Sequence, residues 1–130
     1  MTRVVRAPVR VVRQSTACET GWTAQATVGV DITEPVFAGH YPDFPIFPGV
    51  CVVESVHRSA LATVPEPSGA VTLTDVESAR FLGAVYPGDV LRMDLTWKSD
   101  SPDWLCLAKA STDRGEVATV RLRYRVGETS

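Results

Sequence analysis

Only one segment of the chain favours a helix, and its composition constrains the fold more than any other feature. Pro48 and Gly49 stand at its entrance, and Pro65 and Pro67 end it. Apolar residues surround this helix on nearly all sides: Val50, Val53 and Leu61 on one face, and Val52, Val56 and Ala60 on much of the rest. The sequence therefore predicts a helix buried among other elements.

The remainder of the chain alternates apolar and polar residues with the period of two that is typical of half-buried strands. Residues 88–126, with VLRMDLTWKS, WLCLAKAS and RLRYRV, are predicted to form an antiparallel meander. Further strands are predicted in AVTLTDVESARFL, GWTAQATVGVDI and RVVRAPVRVVR, where Pro8 favours an edge position or a bulge. About six strands and one helix predict an α+β fold: a curved antiparallel sheet wrapped around the helix, in one domain over residues 1–130.

Charge and cysteine usage exclude several classes of function. The formal net charge of -2 provides no overall basic field for binding nucleic acid. The three cysteines are widely spaced and form neither a disulfide framework nor a CxxC metal pair, which favours a reducing cytoplasm. No segment approaches the roughly 18 consecutive apolar residues of a membrane span. We therefore expect a cytoplasmic protein that binds neither metal nor nucleic acid nor membrane.

Glu54 places a carboxylate on the helix face that carries Val50, Val53 and Leu61. Burying a charged carboxylate there would cost several kcal/mol, so desolvation is expected to raise its pKa. A raised pKa would suit a proton donor near neutral pH. The alternative is that Glu54 reaches solvent or pairs with Arg58, one turn later.

A histidine and the helix start flank this carboxylate in the sequence. His40 lies in a loop stiffened by three prolines, as a positioned general base requires, although a hydrogen-bonded structural histidine fits the same pattern. For His57, on the helix, a packed or boundary position is the favoured interpretation. The first helical amides, around Gly49 and Val50, lack intrahelical acceptors and lie at the positive end of the helix dipole. They can therefore bind a developing oxyanion.

Two motifs connect these residues to a known family. FAGHYPDFPIFPGVCVVES resembles the G-H-F-P-x-x-P-x-x-P-G-V-x-x-x-E signature of the hotdog-fold 3-hydroxyacyl-acyl carrier protein dehydratases of fatty acid and polyketide synthesis. ESARFLGAVYPGDVL is similar to the family's K-x-R-F-x-x-x-V-x-P-G-D-x-L segment. With the order of strands and helix, the resemblance covers nearly the whole chain and implies a hotdog fold.

The resemblance implies a hydro-lyase that converts a 3-hydroxyacyl thioester into a trans-2-enoyl thioester and water, without a cofactor or metal. His40 would take the α-proton, and Glu54 would protonate the departing hydroxyl. The backbone N–H groups of Gly49 and Val50 would bind the thioester carbonyl. The substrate tunnel would include Tyr41, Phe44, Phe47 and Arg58.

The resemblance also implies partners. The acyl group would arrive on the phosphopantetheine of an acyl carrier protein, and the site would be shared across a homodimer; a heterodimer or a trimer of dimers is also compatible with the family. Because acyl carrier proteins are acidic, an arginine-rich surface would attract them. Arg121, Arg123 and Arg125 are candidates for that surface, or else they form the solvated face of a strand.

Three positions depart from the family pattern. Asp43 replaces a usual Gly, Phe47 replaces a common Met, and Arg58 replaces the Gln that follows the acid by four residues. A guanidinium close to Glu54 would hold it ionised and oppose proton donation. Two alternatives therefore stay open: a hotdog thioesterase in which Glu54 activates water or attacks the carbonyl, and a non-catalytic hotdog subunit of a heterodimeric dehydratase. The complete motif around His40 argues against the first, and the retention of both His40 and Glu54 argues against the second.

Overall fold

The computed structural model describes residues 7–31, 33–34, 47–65 and 69–127. The helix α1 spans Gly49–Ala62, and the strands are β1 (Val9–Cys18), β2 (Gly21–Gly29), β3 (Val71–Phe81), β4 (Val90–Asp100), β5 (Asp103–Thr112) and β6 (Gly115–Val126). These elements confirm the predicted helix and six strands. No helix in the described residues is long and apolar enough to cross a membrane.

The six strands form one antiparallel sheet in the order β1-β2-β4-β5-β6-β3. Strands β4, β5 and β6 are the predicted meander. As Pro8 indicated, β1 is an edge strand with register shifts, and it begins at Val9, directly after the proline. It runs to Cys18, further than the period-two pattern predicted, because β2 pairs with it along its whole length through a tight turn at Gly21.

The core lies between the concave face of the sheet and α1. The apolar residues of the period-two pattern point inward, and the largest of them, including Trp97, Tyr124 and Met93, are fully buried. Burying each side chain of this size stabilises the fold by roughly 1.5–3 kcal/mol. The alternation read from the sequence thus determines which face of the sheet holds the helix.

The prediction that α1 is buried all round is wrong for one face of the single chain. The buried side is formed by Cys51, Val52, Ser55, Val56, Ser59 and Ala60. On the other side, Val50 is 64% exposed and Leu61 is 46% exposed. Six curved strands cover only part of the circumference of a helix, so its remaining apolar face needs another partner.

Candidate active site

The first two backbone amides of α1, at Gly49 and Val50, are the candidate donors to a ligand. The N–H groups of Cys51 and Val52 both donate to the carbonyl of Pro48, at 2.9 and 3.1 Å. The amides of Gly49 and Val50 precede them and, from helix geometry, have no acceptor within the helix. No side chain caps this end, and the first turn carries no acidic residue. The role of the Gly49 and Val50 amides as donors to a thioester carbonyl stays a prediction.

Phe81 covers this helix start and explains why residue 49 is glycine. A methyl group added at Gly49 would lie 2.9 Å from Cζ of the Phe81 ring, closer than carbon atoms pack. The two sequence motifs meet at a second point as well, because the N–H of Phe47 donates to the carbonyl of Val85 at 2.8 Å. The end of β3, at Phe81, thus positions the helix start, and the segment that follows β3 positions Phe47.

The loop that carries His40 lies outside the described residues, as do Tyr41, Phe44 and Asp43, but both of its flanks are anchored. Glu34 precedes the loop and is 4% exposed, and its Oε2 accepts a hydrogen bond from the Ala7 N–H at 2.8 Å. Phe47 follows the loop and is 3% exposed within the hydrophobic core. The described residues on both sides of this loop, Glu34 and Phe47, are therefore buried.

Glu54 is half-buried one turn into α1, on the side that the sheet does not cover. The Arg58 guanidinium donates from Nη1 to the Ala7 carbonyl at 2.8 Å. The ion pairs between described residues do not include one between Arg58 and Glu54. Arg58 thus contacts the chain just before β1.

His57 occupies the packed position that the sequence favoured. Its Nδ1 lies 2.9 Å from the Tyr124 hydroxyl, and the two rings stack at 5.8 Å between centroids. Desolvation lowers the pKa of His57, an effect that the Glu54 charge partly opposes, and desolvation raises the pKa of Tyr124. The tyrosine therefore stays protonated at neutral pH, and its hydroxyl is hydrogen-bonded to the His57 ring. Sequence analysis did not connect Tyr124 with this region, although its inward position in β6 was readable from the period of two.

Carboxylates surround two of the three β6 arginines. Arg121 contacts Glu77 at 2.8 Å, and Arg123 contacts Glu77, Asp100 and Asp103 at 2.5, 3.0 and 3.2 Å. Both lie on the outer face of the sheet, away from α1. These ion pairs favour the solvated strand face for Arg121 and Arg123, and a role in docking a carrier protein stays a prediction.

Known proteins share this architecture and these motifs. The model of the ApeI-like family, described as ApeI dehydratase, matches residues 14–120. A 3-hydroxyacyl-[acyl-carrier-protein] dehydratase FabZ from Symbiobacterium thermophilum is 38% identical over 94 residues, covering 69% of this chain and 66% of the relative, just under two thirds of its length. A FabZ from Ligilactobacillus salivarius is 35% identical over 112 residues, covering 82% of this chain and 80% of the relative.

Solved structures confirm the predicted hotdog fold. The dehydratase heterocomplex ApeI:P from Xenorhabdus doucetiae aligns with a TM-score of 0.70 at 18% identity, over 88% of this chain and 96% of that chain. The fluoroacetyl-CoA thioesterase FlK aligns with a TM-score of 0.67 at 14% identity, over 86% and 90%. Since dehydratases and thioesterases share this fold, the fold alone does not separate the two activities. The model of the ApeI-like family matches well over half of the chain, and the chain therefore belongs to the ApeI-like dehydratase family.

Proposed function

We propose that this protein dehydrates a 3-hydroxyacyl thioester carried on acyl carrier protein to the trans-2-enoyl thioester, in fatty acid or polyketide synthesis. The observation that carries the proposal is the open amino end of α1, with Glu54 half-buried one turn further along the helix. The FabZ names of the relatives support the reaction and the carrier-bound substrate.

The amides of Gly49 and Val50 bind the thioester carbonyl. Loss of the α-proton moves negative charge onto that oxygen, and fixed amide donors at the positive end of a helix stabilise it without reorganisation. Phe81 restricts the space over Gly49, so the carbonyl approaches from the side of Val50, which is 64% exposed. Removing one donor of this kind typically costs about 10²–10³ in turnover.

His40 takes the α-proton, and Glu54 donates a proton to the 3-hydroxyl as its C–O bond breaks. The electron pair of the broken C–H bond forms the C2–C3 double bond, and water leaves with the proton from Glu54. Glu34 and Phe47, the described residues on either side of the motif that carries His40, are buried and hydrogen-bonded. Among the described residues Glu54 forms no ion pair with Arg58, which supports a role for its carboxyl group towards the substrate.

The active form is a dimer, and the acyl chain lies along the face of α1 that the sheet leaves uncovered. This arrangement would bury Val50 and Leu61, which are exposed in the single chain. Phe47 is part of the core below the helix start, so we propose that it shapes the closed end of the tunnel. The three cysteines, free in the single chain, support a reducing cytoplasm as the site of action.

Mass spectrometry of a short 3-hydroxyacyl carrier protein tests the proposal. The wild type should remove 18 mass units from the carrier-bound chain, or add them to the enoyl form, and His40→Ala and Glu54→Ala should both abolish the change. Release of free acid would show a thioesterase instead. No reaction by the purified dimer would refute the proposal for this chain alone and point to a non-catalytic subunit.

A further inference from the structure

His57 is half-buried and lies one turn after Glu54 on the same side of α1. Val50, Glu54, His57 and Leu61 follow one another at spacings of four, three and four residues, so they share one face of the helix. Residues three apart on a helix have Cβ atoms about 5–6 Å apart. Accordingly, the charge of Glu54 acts on both His57 and the Tyr124 hydroxyl. The three groups are neighbours in the folded chain.

Tyr124 holds the His57 ring from the side of the sheet. Its hydroxyl lies 2.9 Å from Nδ1 of His57, and the two rings stack with 15° between their planes. Tyr124 is fully buried and packs against Trp97 with 5.2 Å between the ring centroids. The core therefore determines where the hydroxyl lies, and Nδ1 is turned towards it. The other ring nitrogen, Nε2, has no hydrogen-bond partner among the described residues.

The bond between His57 and Tyr124 can persist while the imidazole gains or loses a proton, because a tyrosine hydroxyl is both a donor and an acceptor. The hydroxyl accepts from Nδ1–H in the cation and in the neutral ring that has lost its Nε2 proton. It donates to Nδ1 in the other neutral tautomer. Exchange of a proton at Nε2 therefore leaves the ring in contact with the core.

Burial and the charge of Glu54 act on the proton affinity of His57 in opposite directions. Desolvation lowers the pKa of His57, and the negative charge of an ionised Glu54 raises it. The imidazole is therefore least basic while Glu54 is protonated, and it becomes more basic once Glu54 has given up its proton. The Cys106 thiol on β5 acts on Tyr124 and is itself protonated, since desolvation raises the pKa of that thiol.

We propose that His57 is a positioning residue that supplies Glu54 with its proton: in each turnover it takes a proton from water at Nε2 and passes it to the Glu54 carboxylate. This relay rests on the proposed function, in which each dehydration leaves Glu54 ionised and His40 with the α-proton. The imidazolium of His57 reprotonates Glu54, and His40 returns its proton to solvent, so no net proton is consumed. The relay matters because a bound acyl chain excludes water from the acid.

Comparison of the first turnover with later turnovers tests the relay. His57→Gln keeps a side chain that can bond to the Tyr124 hydroxyl, but this side chain cannot carry a proton. Rapid-quench mass spectrometry with a short 3-hydroxyacyl carrier protein should show a first turnover within about twofold of the wild type, because Glu54 starts protonated. Later turnovers should be slower by about tenfold or more, since the loss of a proton-transfer group has effects of this size or larger.

Two further variants and a control separate proton transfer from structure. Imidazole added to the buffer should restore the later turnovers of His57→Ala, because it can carry the missing proton. Tyr124→Phe keeps the titrating ring and removes its bond, so it should slow the later turnovers less than His57→Gln does. Lys109→Gln removes an exposed titratable group on the outer face of the sheet and should leave both phases unchanged.

The possible results distinguish the relay from the proposed function. Later turnovers of His57→Gln as fast as those of the wild type would overturn the relay and leave the dehydratase proposal standing. A first turnover slowed as much as the later ones would also overturn it, since that pattern belongs to a structural role. If circular dichroism shows that His57→Gln folds poorly, imidazole decides: rescue of His57→Ala supports the relay, and no rescue overturns it. A wild type without dehydration would overturn both proposals.

Discussion

The contact between Phe81 and Gly49 allows the most quantitative prediction, because it is defined by distances to individual ring carbons. In Gly49→Ala the new Cβ would meet the ring carbons of Phe81 at 2.9, 3.1 and 3.2 Å. Carbon atoms pack best at about 3.5–4.0 Å, so the ring must retreat by roughly 0.5–1 Å. Overpacking of this kind costs about 1–3 kcal/mol. The half-exposed ring can yield towards solvent, which favours the lower part of that range.

The helix partly offsets this loss. Alanine is favoured over glycine within a helix by up to about 1 kcal/mol. The net expectation is a decrease of up to about 1 kcal/mol in the free energy of unfolding, measured by urea denaturation. Gly29→Ala is the matched control, because nothing lies within 4 Å of a Cβ there, and it should be neutral or stabilising.

A double-mutant cycle isolates the contact. In a Phe81→Ala background the steric conflict is absent, so Gly49→Ala should become neutral or stabilising, with a coupling energy of about 1–2 kcal/mol between the two sites. If Gly49→Ala stabilises the wild type as Gly29→Ala does, the proposed role of Phe81 is wrong. An equal effect of Gly49→Ala in both backgrounds would also refute it.

Three further predictions concern the side of α1 that carries Glu54. Tyr124→Phe removes the hydroxyl that is hydrogen-bonded to Nδ1 of the half-buried His57 and should lower the free energy of unfolding by about 1–2 kcal/mol in urea; an unchanged midpoint would contradict this bond. Because desolvation lowers the pKa of His57, the unfolded chain takes up a proton first as the pH falls, so stability should be complete above about pH 6.5 and decline below it. His57→Gln should flatten that decline, and an identical pH profile would contradict the assignment. Arg58→Ala removes the donor to the Ala7 carbonyl and should cost about 1 kcal/mol and speed proteolysis near the N-terminus, whereas unaltered protection would show that this contact does not hold the segment.

Much of the site could be predicted because its signals are local. Pro48 and Gly49 mark the helix start, and the open amides follow from the geometry of any helix. The positions of Glu54 and His57 follow from the same helix. The direction of Arg58 could not be predicted, because a guanidinium on a half-buried face has several acceptors within reach. The Ala7 carbonyl becomes its acceptor only once β1 is placed beside the helix.

The error about the burial of α1 has a similar cause. The apolar pattern of Val50 and Leu61 correctly indicated a face that avoids water, but the sequence does not say which element covers it. The sheet covers the opposite face of α1, so the face that carries Val50 and Leu61 stays exposed in the single chain. An apolar helix face thus predicts a contact without identifying the chain that makes it.

The sequence by itself determined the six strands, the helix that they pack against, the inward residues of the sheet and the motifs that led to the family. These properties depend on backbone periodicity and on short-range spacing, which any window of the chain contains. Only the tertiary structure decided that Phe81 covers Gly49, that Arg58 contacts Ala7 and that Tyr124 is hydrogen-bonded to His57. These contacts join residues more than thirty positions apart. They depend on strand order, bulges and curvature of the sheet, which are determined by the packing of the whole chain.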